Sequence, residues 1–238
     1  MSDSVDKALT ALGSGDSLPP MSDKLRAELE NLEPVKTANP LRRFAIAGLI
    51  SALWLGGLLA LLGLRRDLEF LPGLWLVVYV ASWFATFLAL SFFAHVPKRG
   101  SVMPRSAVAG RLGLAAGLGF LAVGLIAARQ VPGVSTTYDP TLGNILGYSY
   151  YCIAVGMMAS ALPIAIAAVL LRRSAPVGSA WLGMAVGAGG GALGGMLLHL
   201  HCPIAEPTHL GPVHGGVVLL AAAVGALVLT RVSAIRSP

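Results

Sequence analysis

The residues best suited to chemistry lie near the C-terminal end of the chain, in the stretch LLHLHCPIAEPTHLGPVHGG at residues 197–216. This stretch holds four of the five histidines and one of the two cysteines. Imidazole and thiolate are ligands that suit zinc, copper or iron, so one loop could gather several of them around a transition metal ion. The candidate metal ligands are His199, His201, Cys202, His209 and His214.

The spacing of the first two histidines limits how they could act together. Residues two apart on a helix point to different sides, so joint ligation by His199 and His201 requires the helix to end between them. Pro203 favours such an end, because the residue before a proline avoids the helical region. The same cluster could instead be a structural, hydrogen-bonded group, or serve a redox or haem-related role. The sequence leaves these alternatives open.

The composition identifies the elements that must position this cluster. The chain has 238 residues, of which 55% are hydrophobic and 12% charged, and its mean hydropathy is +0.76. Soluble domains have about 25% charged residues, so this is an integral membrane protein. A membrane-crossing helix needs about 20 apolar residues. We therefore predict an all-α, polytopic bundle of six transmembrane helices, in a domain at 44–238 that follows an N-terminal tail at 1–43. The predicted spans are 44–64, 71–94, 112–128, 148–171, 180–200 and 213–230.

The basic residues predict the orientation of these spans. The connections on the far side from the tail carry only Arg65, Arg66 and Arg129. Basic residues concentrate on the cytoplasmic side, so both termini are predicted to be cytoplasmic, with the histidine-rich loop outside. Cys152 then falls on the same side as Cys202, and a reversible disulfide between them is conceivable. The basic residues on the side of the tail are Arg42, Arg43, Lys98, Arg99, Arg105, Arg111, Arg172, Arg173, Arg231 and Arg236.

Charge and glycine patterns narrow the class of membrane protein. No Asp, Glu, Lys or Arg lies in the middle of a predicted span, which argues against an ion pump or a proton-coupled carrier. The net charge of +6 reflects topology, so no direct contact with nucleic acid is expected. In the fifth span, glycines recur at every fourth residue from Gly183 to Gly195, which is typical of close helix packing. A substrate path or a hinge is the alternative reading.

The N-terminal tail contains one clear helix signal at residues 23–33. Ser22 can cap this helix, and three leucines lie on one face. The segment DKLRAELENLE has four acids and two bases, which disfavours an anionic membrane surface and favours a basic groove on a protein partner. A stub without a partner remains the alternative. The predicted partner-binding residues are Leu25, Glu28, Leu29, Leu32 and Glu33.

The tripeptide HCP at residues 201–203, the tail segment LRAELENLEPV and the six spans together resemble the NrsF-like bacterial membrane anti-sigma factors, including their CarR-like relatives. The resemblance implies that the tail holds an extracytoplasmic-function sigma factor at the membrane until a signal, often oxidative or light-derived, releases it. Residues 1–43 contain neither His nor Cys, so the zinc-binding signature of another anti-sigma class is absent.

These observations favour a non-enzymatic anti-sigma factor whose partners are a sigma factor and the lipid bilayer. The glycine-rich fifth span is the predicted moving element. Two rival hypotheses are a metal- or haem-binding membrane oxidoreductase and a small transporter, both using the histidine cluster. The predicted signal-sensing residues are His199, His201, Cys202, Pro203, His209 and His214.

Overall fold

A computed structural model describes residues 22, 23, 27, 39–96, 105–126, 142–171, 179–204 and 206–234. The chain divides into two compact units, Met1–Ala38 and Asn39–Pro238. In the first unit Asp23 and Ala27 are helical and exposed. The predicted partner-binding residues Leu25, Glu28, Leu29, Leu32 and Glu33 lie outside the described residues, so their role stays a prediction.

The second unit is built from six long helices, and the residues described contain no strand. Each of the six contains a stretch long and apolar enough to cross a membrane, which confirms the predicted fold class. The helices are α1 (Pro40–Leu62), α2 (Gly73–His95), α3 (Arg105–Ile126), α4 (Leu142–Leu171), α5 (Ser179–His201) and α6 (Gly216–Ala234). A short helical turn (Pro207–His209) and a π-helical segment (Leu210–Gly215) lead directly into α6.

Three predicted spans begin six or seven residues earlier than expected, and one of them is α4, which begins at Leu142 instead of residue 148. α3 begins at Arg105 instead of residue 112, because an exposed arginine near the end of a span, such as Arg111, does not have to end an apolar helix. Arg111, which is exposed, places its guanidinium 6.0 Å from the ring of Trp181. The last helical stretch begins at Pro207 instead of residue 213, since proline is well suited to the first turn of a helix.

Both ends of α1 have clear local causes. The side chain of Asn39 accepts hydrogen bonds from the backbone N–H groups of Leu41 (3.0 Å) and Arg42 (3.3 Å), which caps the helix start. At the other end Gly63 has a φ of 80°, a left-handed conformation that favours glycine, and its N–H donates to the carbonyl of Leu59. This turn ends α1 and redirects the chain.

α5 is the central helix of the bundle. In an apolar stretch of 18 residues within α5, 89% of the residues are buried, whereas in the corresponding stretch of α1 only 22% are buried. A Cβ added at Gly191 would lie 2.6 Å from the Cα of Val218, and one at Gly183 would meet the backbone of Gly225. The glycine repeat therefore packs against the α6 backbone, as the small-residue spacing predicts.

Candidate functional site

Two cysteines and a histidine meet near the C-terminal end of α5. Cys152 comes from α4, Cys202 directly follows α5, and His209 precedes the π-helical segment. The Sγ atom of Cys202 lies 3.6 Å from the Sγ of Cys152 and 3.6 Å from the Nε2 of His209. The ligand atoms of the three residues all lie within 4.8 Å of one another, and all three side chains are buried. They form the one such group of His, Cys and acidic residues in the described part of the chain.

Local backbone structure places these side chains. The N–H of Cys202 donates to the carbonyl of Leu198 (2.7 Å), so the helical hydrogen bonding of α5 reaches Cys202, and Pro203 follows. On the other side, the π-helical segment contains His214, whose ring meets that of His209 edge to face at 5.4 Å. Single π turns inside α-helices often occur at functional sites.

His214 completes what we call the Cys–His site, which comprises Cys152, Cys202, His209 and His214. The side chain of His214 is fully buried, and its ring nitrogens make no hydrogen bond of normal length and angle with a described residue, although the ring is close enough to interact with the sulfur of Cys202. The Nδ1 of His209 is likewise without one. Leaving a buried polar atom unpaired costs about 1–3 kcal/mol, so the site holds unused capacity to bind a ligand.

The spacing of the sulfur and nitrogen atoms suits a tetrahedral metal ion. With Zn–S bonds of about 2.3 Å and Zn–N bonds of about 2.0–2.1 Å, two ligand sulfurs lie about 3.8 Å apart, and a sulfur and a nitrogen about 3.6 Å apart. The Cys152–Cys202 and Cys202–His209 distances of 3.6 Å are close to these values. Cys152, Cys202 and His209 therefore have the chemistry and spacing to hold a zinc-like ion, and the ring of His214 lies beside them.

The two thiols are also placed for redox chemistry. Both cysteines are free and buried, and their sulfurs are 3.6 Å apart, whereas a disulfide needs about 2.05 Å. The thiol of Cys152, which donates to Cys202, and the imidazole of His209 hold the pKa of Cys202 below its usual range, although burial acts the other way. The thiolate is the form that attacks disulfides and binds metals.

His199 and His201 do not join this group. α5 continues through both residues, so the helix end that joint ligation requires does not occur between them. The His199 ring is stacked on Tyr79 at 4.9 Å and lies 4.8 Å from Trp75. The Nδ1 of His201 donates to the carbonyl of Gly63 (2.9 Å). Of the predicted ligands, the structure thus brings together Cys202 and His209, with His214 beside them.

Sequence reasoning missed two features of this region. It treated Cys152 only as a disulfide partner, because nothing in the spacing shows that α4 delivers its thiol to the histidines. It also counted Arg65 only as a topological charge. Arg65 forms a buried ion pair with Asp67 (2.6 Å) and donates to the carbonyl of Pro203 (3.2 Å). An acid two residues after a span-end arginine is the signal that could have indicated this pair.

Comparison with known proteins identifies the family. The sequence profile of the NrsF family, described as negative regulator of sigma F, matches residues 29–233. Searches of curated proteins and of solved structures gave no significant match. The family match covers most of the chain and includes α1 to α5 and nearly all of α6. The chain therefore belongs to the NrsF family of negative regulators of a sigma factor.

Proposed function

We propose that this protein holds an extracytoplasmic-function sigma factor at the inner membrane through its N-terminal tail, and releases it when the Cys–His site receives a signal. The family match over residues 29–233 carries the proposal, because it identifies a regulator of a sigma factor and includes the last five residues, 29–33, of the predicted tail helix. The role is regulatory and requires no catalytic step.

The distribution of basic residues supports a cytoplasmic tail. The start of α1, the end of α2 and the start of α3 lie on one side of an alternating six-helix bundle, and the basic residues cluster in these connections. The Cys–His site follows the end of α5, on the opposite side. In this orientation the tail faces the sigma factor and the Cys–His site faces the extracytoplasmic space.

The proposed sigma-factor-binding surface of the tail is an apolar stripe flanked by acidic residues. Leu25, Leu29 and Leu32 would supply the stripe, while Glu28 and Glu33 would supply the rim. Such a helix suits a partner groove that combines an apolar floor with basic edges. Sigma factors bind polymerase and promoter DNA and so present surfaces of this kind.

The proposed signal is a thiophilic transition metal ion bound by the Cys–His site. Cys152, Cys202, His209 and His214 supply two sulfurs and two imidazoles, the ligand set of many zinc sites. His199 and His201 would then support the site from the end of α5 without binding the ion. A second candidate signal is an oxidant, which the Cys152–Cys202 distance of 3.6 Å favours. Two thiols would form one disulfide and pass two electrons and two protons to that oxidant.

Capture of a sigma factor by the full-length protein tests the role of the tail. The protein in lipid nanodiscs would be mixed with each purified extracytoplasmic-function sigma factor of the bacterium that encodes it. We expect one of these sigma factors to bind. Leu29→Asp should weaken binding by about 30-fold or more, because it replaces an apolar interface residue worth about 2 kcal/mol with a charged one.

Ala27→Asp is the matched control, because Ala27 is helical and exposed and lies on the opposite side of the predicted helix from the leucines. It adds the same charge and should leave binding unchanged. The proposal is wrong if no sigma factor binds the wild-type protein, or if both variants bind equally well.

Release distinguishes the two candidate signals. Zn²⁺ should release the sigma factor and a chelator should restore binding; diamide should release it only if oxidation is the signal, and a reductant should then restore binding. Cys202→Ser should prevent both. Release by neither Zn²⁺ nor diamide would contradict the sensing role of the Cys–His site. Stoichiometric haem in the purified protein would instead favour an oxidoreductase.

A further inference from the structure

The connection between α1 and α2 makes polar contacts with the chain on both sides of Cys202, and the proposed function leaves these contacts unexplained. The guanidinium of Arg65 makes two hydrogen bonds of 2.6 Å with the carboxylate of Asp67. Both side chains are buried, at 1% and 6% exposure. Two parallel bonds of this kind fix the orientation of the guanidinium as well as its position.

The same guanidinium holds the chain on both sides of Cys202. Its Nη2 donates to the carbonyl of Pro203 (3.2 Å), and its Nη1 donates to the carbonyl of His199 (3.5 Å). The backbone N–H of Arg65 donates to the carbonyl of Leu200 (2.9 Å). Carbonyls in the last turn of a helix lack partners within that helix, so Arg65 supplies the C-terminal cap of α5 from another segment.

A second link runs beside the first. The ring of His201 donates to the carbonyl of Gly63, the residue that ends α1 in a left-handed conformation. The end of α1 is therefore joined to the end of α5 by contacts at residues 63 and 65. These contacts join the backbone around Cys202 to the segment that ends α1.

Stability alone does not explain a buried ion pair in this place. Removing two charges from water costs about as much as their attraction returns, and apolar pairs of the same size are often at least as stable. The Arg65–Asp67 pair is better explained by what it positions. It connects the residues around Cys202 to a helix whose first residue directly follows the tail.

α1 is packed less closely against its neighbours than α5 is. A Cβ added at Gly48, Gly56 or Gly57 would meet nothing within 4 Å, so no neighbouring backbone locks these positions. In α5, by contrast, a Cβ at Gly187 would clash with the backbone carbonyl group of Ala221. Close-packed backbones resist displacement, whereas a helix bordered mostly by lipid meets little resistance.

We infer that Arg65, oriented by Asp67, couples the Cys–His site to α1, so that a change at Cys202 shifts α1 and through it the tail. This inference rests on the proposed function, and it names α1 instead of the fifth span as the moving element. Arg65 is a positioning residue, since it contacts the chain around Cys202 and none of the four residues of the site itself.

The coupling can be measured as a ratio of affinities. If the site and the tail are linked, the affinity of the full-length protein for Zn²⁺ differs between its free form and its complex with the captured sigma factor, typically by roughly 5–150-fold. The variant R65Q/D67N removes both charges together and leaves no unpaired buried charge. We expect it to bring the ratio close to 1 while Zn²⁺ affinity and sigma-factor capture each stay near wild type.

Two comparisons keep the test decisive. Arg66→Gln removes an exposed neighbouring charge and should keep the wild-type ratio. Arg65→Lys keeps the charge but not the paired hydrogen bonds, and should retain part of it. If R65Q/D67N keeps the wild-type ratio, Arg65 does not couple the Cys–His site to the tail. If R65Q/D67N binds neither Zn²⁺ nor the sigma factor, the role of Arg65 is only structural and the inference is wrong. A wild-type protein with a ratio of 1 would overturn the proposed function first, and the inference with it.

Discussion

α1 and α5 are both 23-residue helices, but the bundle covers them very differently. The mean hydropathy of the span is 2.2 in α1 and 1.4 in α5, so the more apolar helix is the less buried one. Glycines lower the hydropathy of α5 and allow neighbouring backbones to approach it, whereas α1 presents exposed leucines such as Leu49, Leu53 and Leu61. In this protein, small residues and not hydropathy determine which helix lies at the centre.

The same contrast assigns different roles to the two helices. α5 carries the Cys–His site at its end and is held by close backbone contacts on several sides. α1 follows the tail, contacts few neighbours and meets α5 at the Arg65 contacts. In the proposed mechanism a fixed sensor and an adjustable output helix are joined by the contacts of residues 63 and 65, and the predictions below test each part of that arrangement.

The largest effect is expected at the junction. Arg65→Gln leaves the buried carboxylate of Asp67 without its counter-charge, which typically destabilises a protein by about 3–5 kcal/mol. Thermal unfolding in detergent should show a large drop in Tm, and R65Q/D67N should recover most of it. Equal destabilisation by the single and double variants would show that an unpaired charge is not the cause.

A smaller effect is expected from bulk added to α5. In Gly187→Leu the new side chain meets the Ala221 backbone, which cannot move aside, so destabilisation should lie at the upper end of about 1–3 kcal/mol. Gly57→Leu in α1 adds the same atoms in open space and should leave Tm unchanged or slightly higher. Similar unfolding temperatures for the two variants would show that α5 is not packed more closely than α1.

The smallest effect is expected from loosening α1. The indole Nε1 of Trp54 donates to the carbonyl of Met158 in α4 (3.4 Å), and Trp54→Phe removes this bond while keeping most of the ring. Hydrogen bonds between membrane helices contribute about 0.6 kcal/mol on average. We expect a loss of that size in unfolding free energy, and a higher proportion of free sigma factor without any signal. An unchanged proportion would indicate that the position of α1 does not control capture.

Sequence reasoning identified the fold because the length of an apolar run directly reflects bilayer thickness. The helix ends were less predictable at α3, since the arginines near its start were taken as boundaries although Arg105 and Arg111 lie within the helix. The glycine repeat of α5 indicated that this helix lies at the centre of the bundle. The exposure of α1 could not be predicted, because a leucine-rich helix suits lipid and protein surroundings equally.

The site was predictable only in part, for reasons of connectivity. Cys202 and His209 lie in one short stretch, so their meeting could be inferred. Cys152 lies on a different helix, and its approach to Cys202 depends on the packing of α4 against α5. The π-helical segment that contains His214 has no clear sequence signature, and the divergence of His199 from His201 follows from a helix that ends after both residues.

Distances between labelled helices test the central claim most directly. Spin labels would be attached through ketone-bearing residues, which spares the cysteines, at Leu53 of α1 and Leu220 of α6, and in a second sample at Ala180 of α5 and Leu227 of α6, all of which are exposed. On adding Zn²⁺ we expect the Leu53–Leu220 distance to shift by about 1–2 Å or more, and the Ala180–Leu227 distance to stay constant. A change between α5 and α6 with α1 fixed would contradict the account.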